Sequence, residues 1–316
     1  MFFPLPTPAI RVLASIPMSN VIRIGVRGNQ LGLSIGQQIL DSLQKHLGGA
    51  TAEILEISDP GRRMSSPWPG GALERSLAQG DVQMVIQNAK DASPAAPGIT
   101  IAAVTTRFTP FDVLITSDER ILDELPEGSA LSAHTALRRA QLLNYRPDFR
   151  IVDFAGSLEE RIHLLEKGEV DGLIVSASGV EHLGVQDRVS EIFTTEVLIP
   201  APGQGAAVIQ VRTADKDLIK MVKHCNDVEA RAEFDAERSF LKALGADSRA
   251  PVGALAQGDG ASLRLEGVIA ERDGSRLYRD FEIGGIGSAA SMGERLAKKL
   301  IAEGGHRALA TAETEQ

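Results

Sequence analysis

Three short segments combine basic side chains with turn residues at points where an apolar run ends. They are Arg27-Gly28-Asn29, Gln87-Asn88-Ala89-Lys90-Asp91 and His134-Thr135-Ala136-Leu137-Arg138-Arg139. Guanidinium groups bind carboxylates and phosphates through paired hydrogen bonds, and the N–H groups at the start of a helix favour anions. The chemistry that these segments share is therefore the recognition of an anion, with Asp91 as the single acid among them.

Each segment also has a plain structural interpretation, which its residues alone leave open. Arg27 could be an exposed arginine of an ordinary turn, and Lys90 and Asp91 could lie in a surface loop. Arg138 and Arg139 could belong to a solvated helix face. Positive charge near a helix N-terminus is unfavourable, however, and a bound anion would offset that cost.

The segment Pro202-Gly203-Gln204-Gly205 indicates a tight turn or a close approach of the backbone to a ligand, and a simple hinge fits it equally well. His163 and His182 are isolated from any other potential metal ligands. The single cysteine, Cys225, excludes an intramolecular disulfide and a cysteine-based zinc site. We therefore predict no metal, and a reducing cytoplasm as the location.

The composition is that of a globular protein of two or three domains, with 316 residues, 43% hydrophobic and 24% charged. Since the net charge is −9, an anionic ligand must be met by a local cluster of bases. That charge, and an aromatic content of 4% with Trp68 as the only tryptophan, argue against a nucleic-acid partner. No apolar run approaches the ~20 residues of a membrane span. The proline-rich residues 1–20 are predicted to be a disordered extension.

Strand and helix patterns alternate twice along the chain, which predicts two α/β lobes built on parallel sheets with crossover helices. In the first lobe the strands are Val21–Val26, Glu53–Ile57, Val82–Gln87 and Ile99–Val104, and the helices run from Leu31 to Leu43 and over Ala72–Ala78. In the second lobe the strands are Val113–Thr116, Ser129–Ala133, Ile151–Phe154 and Val170–Val175, and the helices are Thr135–Leu143, Leu158–Glu166 and a short one after Val175. Two such lobes suggest a binder with a cleft between them.

A third, small α+β domain is predicted from a charged helix over Asp227–Leu244, strands over Leu263–Ala270 and Arg276–Ile283, and a helix over Ala289–Ala302. The turn and strand of Pro200–Val211 could carry the chain back to the first lobe. The predicted domains are 21–108 with 201–219, then 109–200, then 220–316.

Taken together, the chain resembles the hydroxymethylbilane synthase (porphobilinogen deaminase) family of tetrapyrrole biosynthesis over roughly Val21 to Gly305. The segments that carry the resemblance are RIGVRGNQLGL, QNAKDA, LRRAQLLNYRPDF, PAPGQGAAVIQVR and AERSFLKALGADSRAPVG. It implies two periplasmic-binding-protein-like lobes around a cleft, and a small third domain whose loop holds a dipyrromethane primer. It implies a transferase that condenses porphobilinogen units head to tail and releases ammonia.

The resemblance also implies roles for individual residues. Asp91 matches the catalytic aspartate, which stabilises the cation formed as ammonia leaves. Every pyrrole ring brings two carboxylates, so a growing chain needs several basic groups. The implied binding positions are Arg27, Asn29, Lys90, Thr135, Arg138, Arg139, Arg161 and Gln204.

The chain departs from the family pattern at several positions. Ser248, in the loop Gly245–Pro251, stands where the family attaches its primer through a cysteine thioether. A serine hydroxyl without a neighbouring base is a far weaker nucleophile than a thiol. Ala155 and His182 replace arginines, and Gln87-Asn88 replaces His-Ser. The loop Ser58–Gly71 is shorter than the family's and lacks its Gly-Gly-Lys-Gly-Leu-Phe run.

We therefore expect a cytoplasmic, monomeric transferase of the hydroxymethylbilane synthase type. Its partner would be a small polycarboxylate, porphobilinogen or a pyrrole chain, with neither nucleic acid nor membrane involved. Two alternatives stay open: a non-catalytic pseudoenzyme that binds a pyrrole or another polycarboxylate, and a two-lobed anion receptor unrelated to pyrroles.

Overall fold

The computed structural model describes residues 21–58, 71–92, 97–154 and 156–309. Its helices are α1 Gln30–Leu43, α2 Ala72–Gln79, α3 Ala136–Tyr145, α4 Leu158–Glu166, α5 Ala177–Leu183, α6 Lys216–Val222, α7 Val228–Ala243 and α8 Ala289–Leu300. Its strands are β1 Val21–Arg27, β2 Thr51–Ile57, β3 Met84–Asn88, β4 Ile99–Val104, β5 Asp112–Thr116, β6 Ala130–Ser132, β7 Arg150–Val152, β8 Gly172–Ser176, β9 Glu191–Ile192, β10 Ala207–Arg212, β11 Val252–Asp259, β12 Ser262–Ala270 and β13 Leu277–Gly285.

The strands form two five-stranded sheets and one three-stranded sheet. The first lobe has the order β2-β1-β3-β10-β4, and the second has the order β7-β6-β8-β5-β9. The third domain is the antiparallel sheet β11-β12-β13, against which α7 and α8 pack. The predicted fold class, two α/β lobes with a small α+β domain, is confirmed.

The prediction of purely parallel sheets is wrong, because each lobe contains a strand that arrives from the other lobe. Strand β10 runs antiparallel to β3, and Ala207 at its start pairs with Asn88 at the end of β3. Strand β5 runs antiparallel to β8 in the same way, with Asp112 paired to Ser176. The chain segment that comes from the other lobe enters the sheet at the edge where the parallel strands end. The strand that it forms must therefore run in the opposite direction to those strands.

Helix α1 shows how the sequence forms these elements locally. Asn29 caps its first turn, and the apolar residues at four-residue spacing, Ile35, Ile39 and Leu43, are buried on the first sheet. On the sheet side they meet Ile24 and Met84, neither of which is exposed to solvent. This packing fixes the start of α1 at the same edge of the sheet as the end of β1.

Several element predictions need correction. Strand β7 ends at Val152, whereas the sequence suggested a strand to Phe154. The turn and strand predicted over Pro200–Val211 are present, with the strand at Ala207–Arg212. The sequence analysis missed β9, β11 and α6.

The domain boundaries remain a prediction. One observation concerns the boundary between the first lobe and the third domain, which is predicted after residue 219. Val222, in α6, packs in the first-lobe core, which favours a boundary a few residues after 219. Residues 1–20 and most of the loop Ser58–Gly71 lie outside the described residues.

Candidate active site

A cavity of about 710 Å³ lies between the two lobes, at the edge where the parallel strands end. Both lobes contribute to its walls. The first lobe supplies the ends of β1 and β3, and the second supplies the starts of α3 and α4 and the end of β8. The predicted site residues that line this cleft are Arg27, Asn29, Lys90, Asp91, Thr135, Arg138 and Arg161.

Four of the described helices begin at the wall of the cleft: α1, α3, α4 and α5, the last of which Ser176 caps. Asn29 Oδ1 accepts a hydrogen bond from Gly32 N at 2.8 Å, and Thr135 Oγ1 accepts one from Arg138 N at 3.2 Å. Ser157 Oγ accepts one from Glu160 N at 3.2 Å at the start of α4. Helix starts carry partial positive charge and favour anions. The sequence analysis missed Ser157, which the capping-box spacing to Glu160 could have indicated.

Arg138 is buried at the back of the cleft and bound to Asp112. Its Nε donates to Asp112 Oδ2 at 3.0 Å, and its Nη2 donates to Oδ1 at 2.7 Å. Gln204 Nε2 donates to the same Oδ1 and to Pro110 O, both at 2.8 Å. Gln204 does not line the cleft. Its side chain holds Asp112 in place, and Asp112 in turn holds Arg138. Asp112 was missed because nothing in its local sequence indicates the pairing.

Arg161 lies beside Arg138 and is also buried. Its Nη2 donates to Ser132 O at 3.0 Å and to Ile174 O at 2.8 Å, which ties it to β6 and β8. Burial, followed by the positive charge of Arg138, lowers the pKa of Arg161 to about 10. Among the described residues no carboxylate forms an ion pair with Arg161. A bound anion would therefore compensate its charge.

Lys90 and Asp91 lie in a single turn that follows β3 directly. Arg27 Nη2 is 3.9 Å from Asp91 Oδ2, so these groups interact across the mouth of the cleft while both remain partly exposed. Burial lowers the pKa of the Lys90 amine, an effect that the neighbouring Asp91 opposes. In the part of the chain that the structure describes, Lys90 has no hydrogen bond or ion pair.

The glycine-rich turn packs behind these residues. Gly203 has a φ of +83°, and a Cβ placed there would lie 3.0 Å from Ala89 C and Lys90 N. The turn therefore needs glycine at this position for packing against the Lys90 backbone.

Arg139 and Ser248 lie outside the cleft, in a neighbouring depression of about 560 Å³. His134 and Thr135 line both cavities, which are therefore adjacent. Ser248 is exposed, and the acid beside it, Asp247, is engaged by Arg249 Nη2 at 2.6 Å.

A thioether-bound primer does not fit at Ser248, because the position has a hydroxyl and the chain's only thiol is elsewhere. Cys225 lies in another cavity, between α1 and α5, and burial raises the pKa of its thiol. The carboxylate-binding groups of the cleft, in contrast, do fit a polycarboxylate. His182 lines the same cavity as Cys225 and contacts Phe108, with tilted rings whose centroids are 4.7 Å apart. Ala155 lies outside the described residues.

Among the described residues, no helix has both the length and the apolar character that crossing a membrane requires. No three His, Cys, Asp or Glu side chains of these ranges meet as a possible metal site.

The fold and the cleft define a two-lobed α/β protein that gathers basic groups from both lobes around one cleft. Two family models match the chain. One is described as porphobilinogen deaminase, dipyromethane cofactor binding domain, over residues 22–220, and the other as porphobilinogen deaminase, C-terminal domain, over residues 232–302. The chain belongs to the porphobilinogen deaminase family.

Curated relatives agree with this assignment. The chain is 33% identical to a porphobilinogen deaminase of Pelotomaculum thermopropionicum, covering 95% of this chain and 99% of the relative. It is 32% identical to one of Roseiflexus castenholzii, covering 93% and 100%. Among solved structures it is similar to the periplasmic aliphatic sulphonate binding protein SsuA of Escherichia coli, with a TM-score of 0.41 and 13% identity over 72% of this chain and 76% of that chain.

Proposed function

We propose that this chain condenses porphobilinogen units with loss of ammonia, as a transferase of tetrapyrrole biosynthesis. The observation that carries the proposal is the convergence of Arg27, Lys90, Arg138 and Arg161 on one cleft that also holds Asp91. Basic groups from two lobes suit a ligand with several carboxylates, and the acid suits a reaction that develops positive charge.

Binding and chemistry are divided between these residues. Arg138 is held by Asp112, and Arg161 is held by backbone carbonyl groups of β6 and β8. Arg161, which no carboxylate pairs among the described residues, presents positive charge to the substrate carboxylates, and Arg138 presents a fixed guanidinium group beside it. Lys90 adds a charge on which two acids act, first Asp91 and then Asp112. Together they orient the substrate with its aminomethyl group near Asp91.

Asp91 acts when the aminomethyl carbon loses its nitrogen. The carbon–nitrogen bond breaks and ammonia takes the bonding electron pair, which leaves positive charge shared by the methylene carbon and the pyrrole ring. A fixed carboxylate next to that charge lowers the barrier. The methylene carbon then bonds to the free α-carbon of the preceding ring, and that carbon loses its proton.

The curated relatives carry the name of the enzyme over nearly their full length, which favours the transferase over the non-catalytic alternative. The monomeric state and the cytoplasmic location stay predictions. The single cysteine supports the location.

The function is tested by incubating the purified protein with porphobilinogen. We expect loss of porphobilinogen, measured with Ehrlich's reagent, and appearance of uroporphyrin after acid oxidation of the product. A heat-denatured sample corrects for spontaneous condensation. Consumption no faster than in that control, with no uroporphyrin, would refute the proposal.

Replacing Lys90 by methionine separates its effect on binding from its effect on stability. We expect a dipyrromethane with acetate and propionate side chains to bind about tenfold more weakly, because an ion pair is lost. The thermal midpoint should not fall, since the variant buries no amine. In the wild type the affinity for the dipyrromethane should decline as the pH rises through the pKa of Lys90. Because that pKa is lowered, the decline should begin at a lower pH than an exposed lysine would give. The variant Lys90→Met should lack this decline.

Calorimetry over a pH series measures both affinities, with the exposed Lys45→Met as the matched control. Equal affinity of Lys90→Met and the wild type at neutral pH would exclude Lys90 from the binding site.

A further inference from the structure

The depression beside Ser248 brings together residues from three parts of the chain. Arg139 comes from α3, Ser248 and Arg249 come from the turn after α7, and Arg272 comes from the turn between β12 and β13. It has a volume of about 560 Å³ and shares His134 and Thr135 with the lining of the cleft. The depression therefore lies next to the cleft.

Two of its guanidinium groups have no partner among the described residues. The side chains of Arg139 and Arg272 form no hydrogen bond or ion pair there, and Arg272 Nε is a buried donor without an acceptor. A buried N–H group without an acceptor is costly and rare in folded proteins. Because Arg272 also lines the depression, the outer part of its guanidinium group is available to a ligand carboxylate there.

The acids of the depression do not accept a hydrogen bond from Arg272. Asp153 Oδ1 lies 2.9 Å from His134 Nδ1, and Asp273 accepts hydrogen bonds from Ser275. Asp247, at the edge, is bound to Arg249. Among the described residues none of these acids forms an ion pair with Arg139 or Arg272, so both guanidinium groups keep hydrogen-bond donors for a ligand.

The Ser248 hydroxyl shows no sign of activation for covalent attachment. His134 is the only imidazole that lines the depression, and among the described residues no hydrogen bond joins it to Ser248. A serine without a hydrogen-bonded base is a poor nucleophile. The cationic groups surround the position that the family uses for its covalent anchor.

We propose that Arg139 and Arg272, with Arg249 at the edge of the depression, form a carboxylate-binding subsite that holds the first ring of a pyrrole primer beside Ser248 through ion pairs, in place of a thioether. This inference rests on the proposed function. The two unpaired guanidinium groups match the two carboxylates of one pyrrole ring. Each can bind a carboxylate through two parallel hydrogen bonds.

The test is a calorimetric titration with a dipyrromethane that has acetate and propionate side chains and no aminomethyl group. We expect Arg272→Gln to weaken binding at least about tenfold, and Arg249→Gln to weaken it in the same direction. The matched control is Arg264→Gln on β12, whose guanidinium pairs with Glu266 outside the depression. The wild-type affinity should also fall with added salt.

Intact mass spectrometry of the same complex gives an independent readout. We expect the dipyrromethane mass on the protein under native conditions and its complete loss on denaturation. Mass that survives denaturation would show a covalent bond and overturn the proposal. Wild-type affinity in both Arg272→Gln and Arg249→Gln, or no binding to the wild type, would also overturn it.

Porphobilinogen consumption by the wild type distinguishes the two proposals. If consumption occurs while both arginine variants bind normally, the ionic subsite fails and the transferase stands. If the dipyrromethane binds through Arg272 but porphobilinogen is not consumed, the subsite stands as a binding site and the transferase fails.

Discussion

The variant Asp91→Asn is expected to fold normally and to lose porphobilinogen turnover by about 10²–10³-fold. Asparagine has nearly the same shape as aspartate, so the turn after β3 and the wall of the cleft should be unchanged. The substitution removes the negative charge that would stabilise the cation formed when ammonia leaves. Initial rates of porphobilinogen loss measure the effect, and thermal unfolding confirms that the fold is retained.

The matched control is Asp41→Asn, an exposed acid on α1 that accepts a hydrogen bond from Gln37 and does not line the cleft. It should leave turnover at the wild-type level. Turnover of Asp91→Asn within about threefold of the wild type would show that the carboxylate is not the electrostatic centre of the reaction. Removing a group that stabilises the transition state lowers the rate by far more than about threefold.

The second large effect is expected on stability, from Arg107→Met. Arg107 lies in the first crossover between the lobes, and its Nη1 donates to Glu237 Oε1 at 2.7 Å in α7. Burial alone would lower the pKa of Arg107, but the ion pairs with Glu237 and Glu233 outweigh burial and raise it. Removing the guanidinium leaves the fully buried Glu237 carboxylate without its counter-charge. We expect a loss of about 3–5 kcal/mol in the free energy of unfolding.

Urea denaturation, followed by circular dichroism, measures the loss. The control Arg120→Met removes an exposed pair with Asp118 and should leave the midpoint close to that of the wild type. Adding Glu237→Gln to Arg107→Met removes the uncompensated charge and should recover part of the stability. A midpoint of Arg107→Met that matches the wild type would contradict the assigned role.

The fold was largely predictable because its elements follow from local patterns. The apolar spacing of α1 and its Asn29 cap are visible in the sequence, and the structure places the helix within one residue of the expected bounds. The direction of β5 and β10 was not visible, because a strand has the same apolar pattern whichever way it runs. It depends on where the crossover enters each sheet.

The candidate site was predictable in its residue types and less so in its contacts. Arg27, Lys90 and Arg138 could be selected from their positions after strands, whereas Arg161 was indicated only by the family resemblance. The pairing of Arg138 with Asp112 and the position of Arg272 beside Ser248 depend on how distant segments dock, and no local spacing encodes either contact. The Asp273-Gly274 pair indicates a turn but not which residues that turn faces.

The strand exchange between the lobes has a consequence for biosynthesis. All strands of the second sheet lie between residues 112 and 192, whereas the first sheet needs β10, which ends at Arg212. As the ribosome extends the chain, the second lobe has its full set of strands while the first still lacks an inner one. The second lobe, which is translated later, can therefore fold first. The first lobe cannot complete its sheet until β10 has emerged and inserted between β3 and β4.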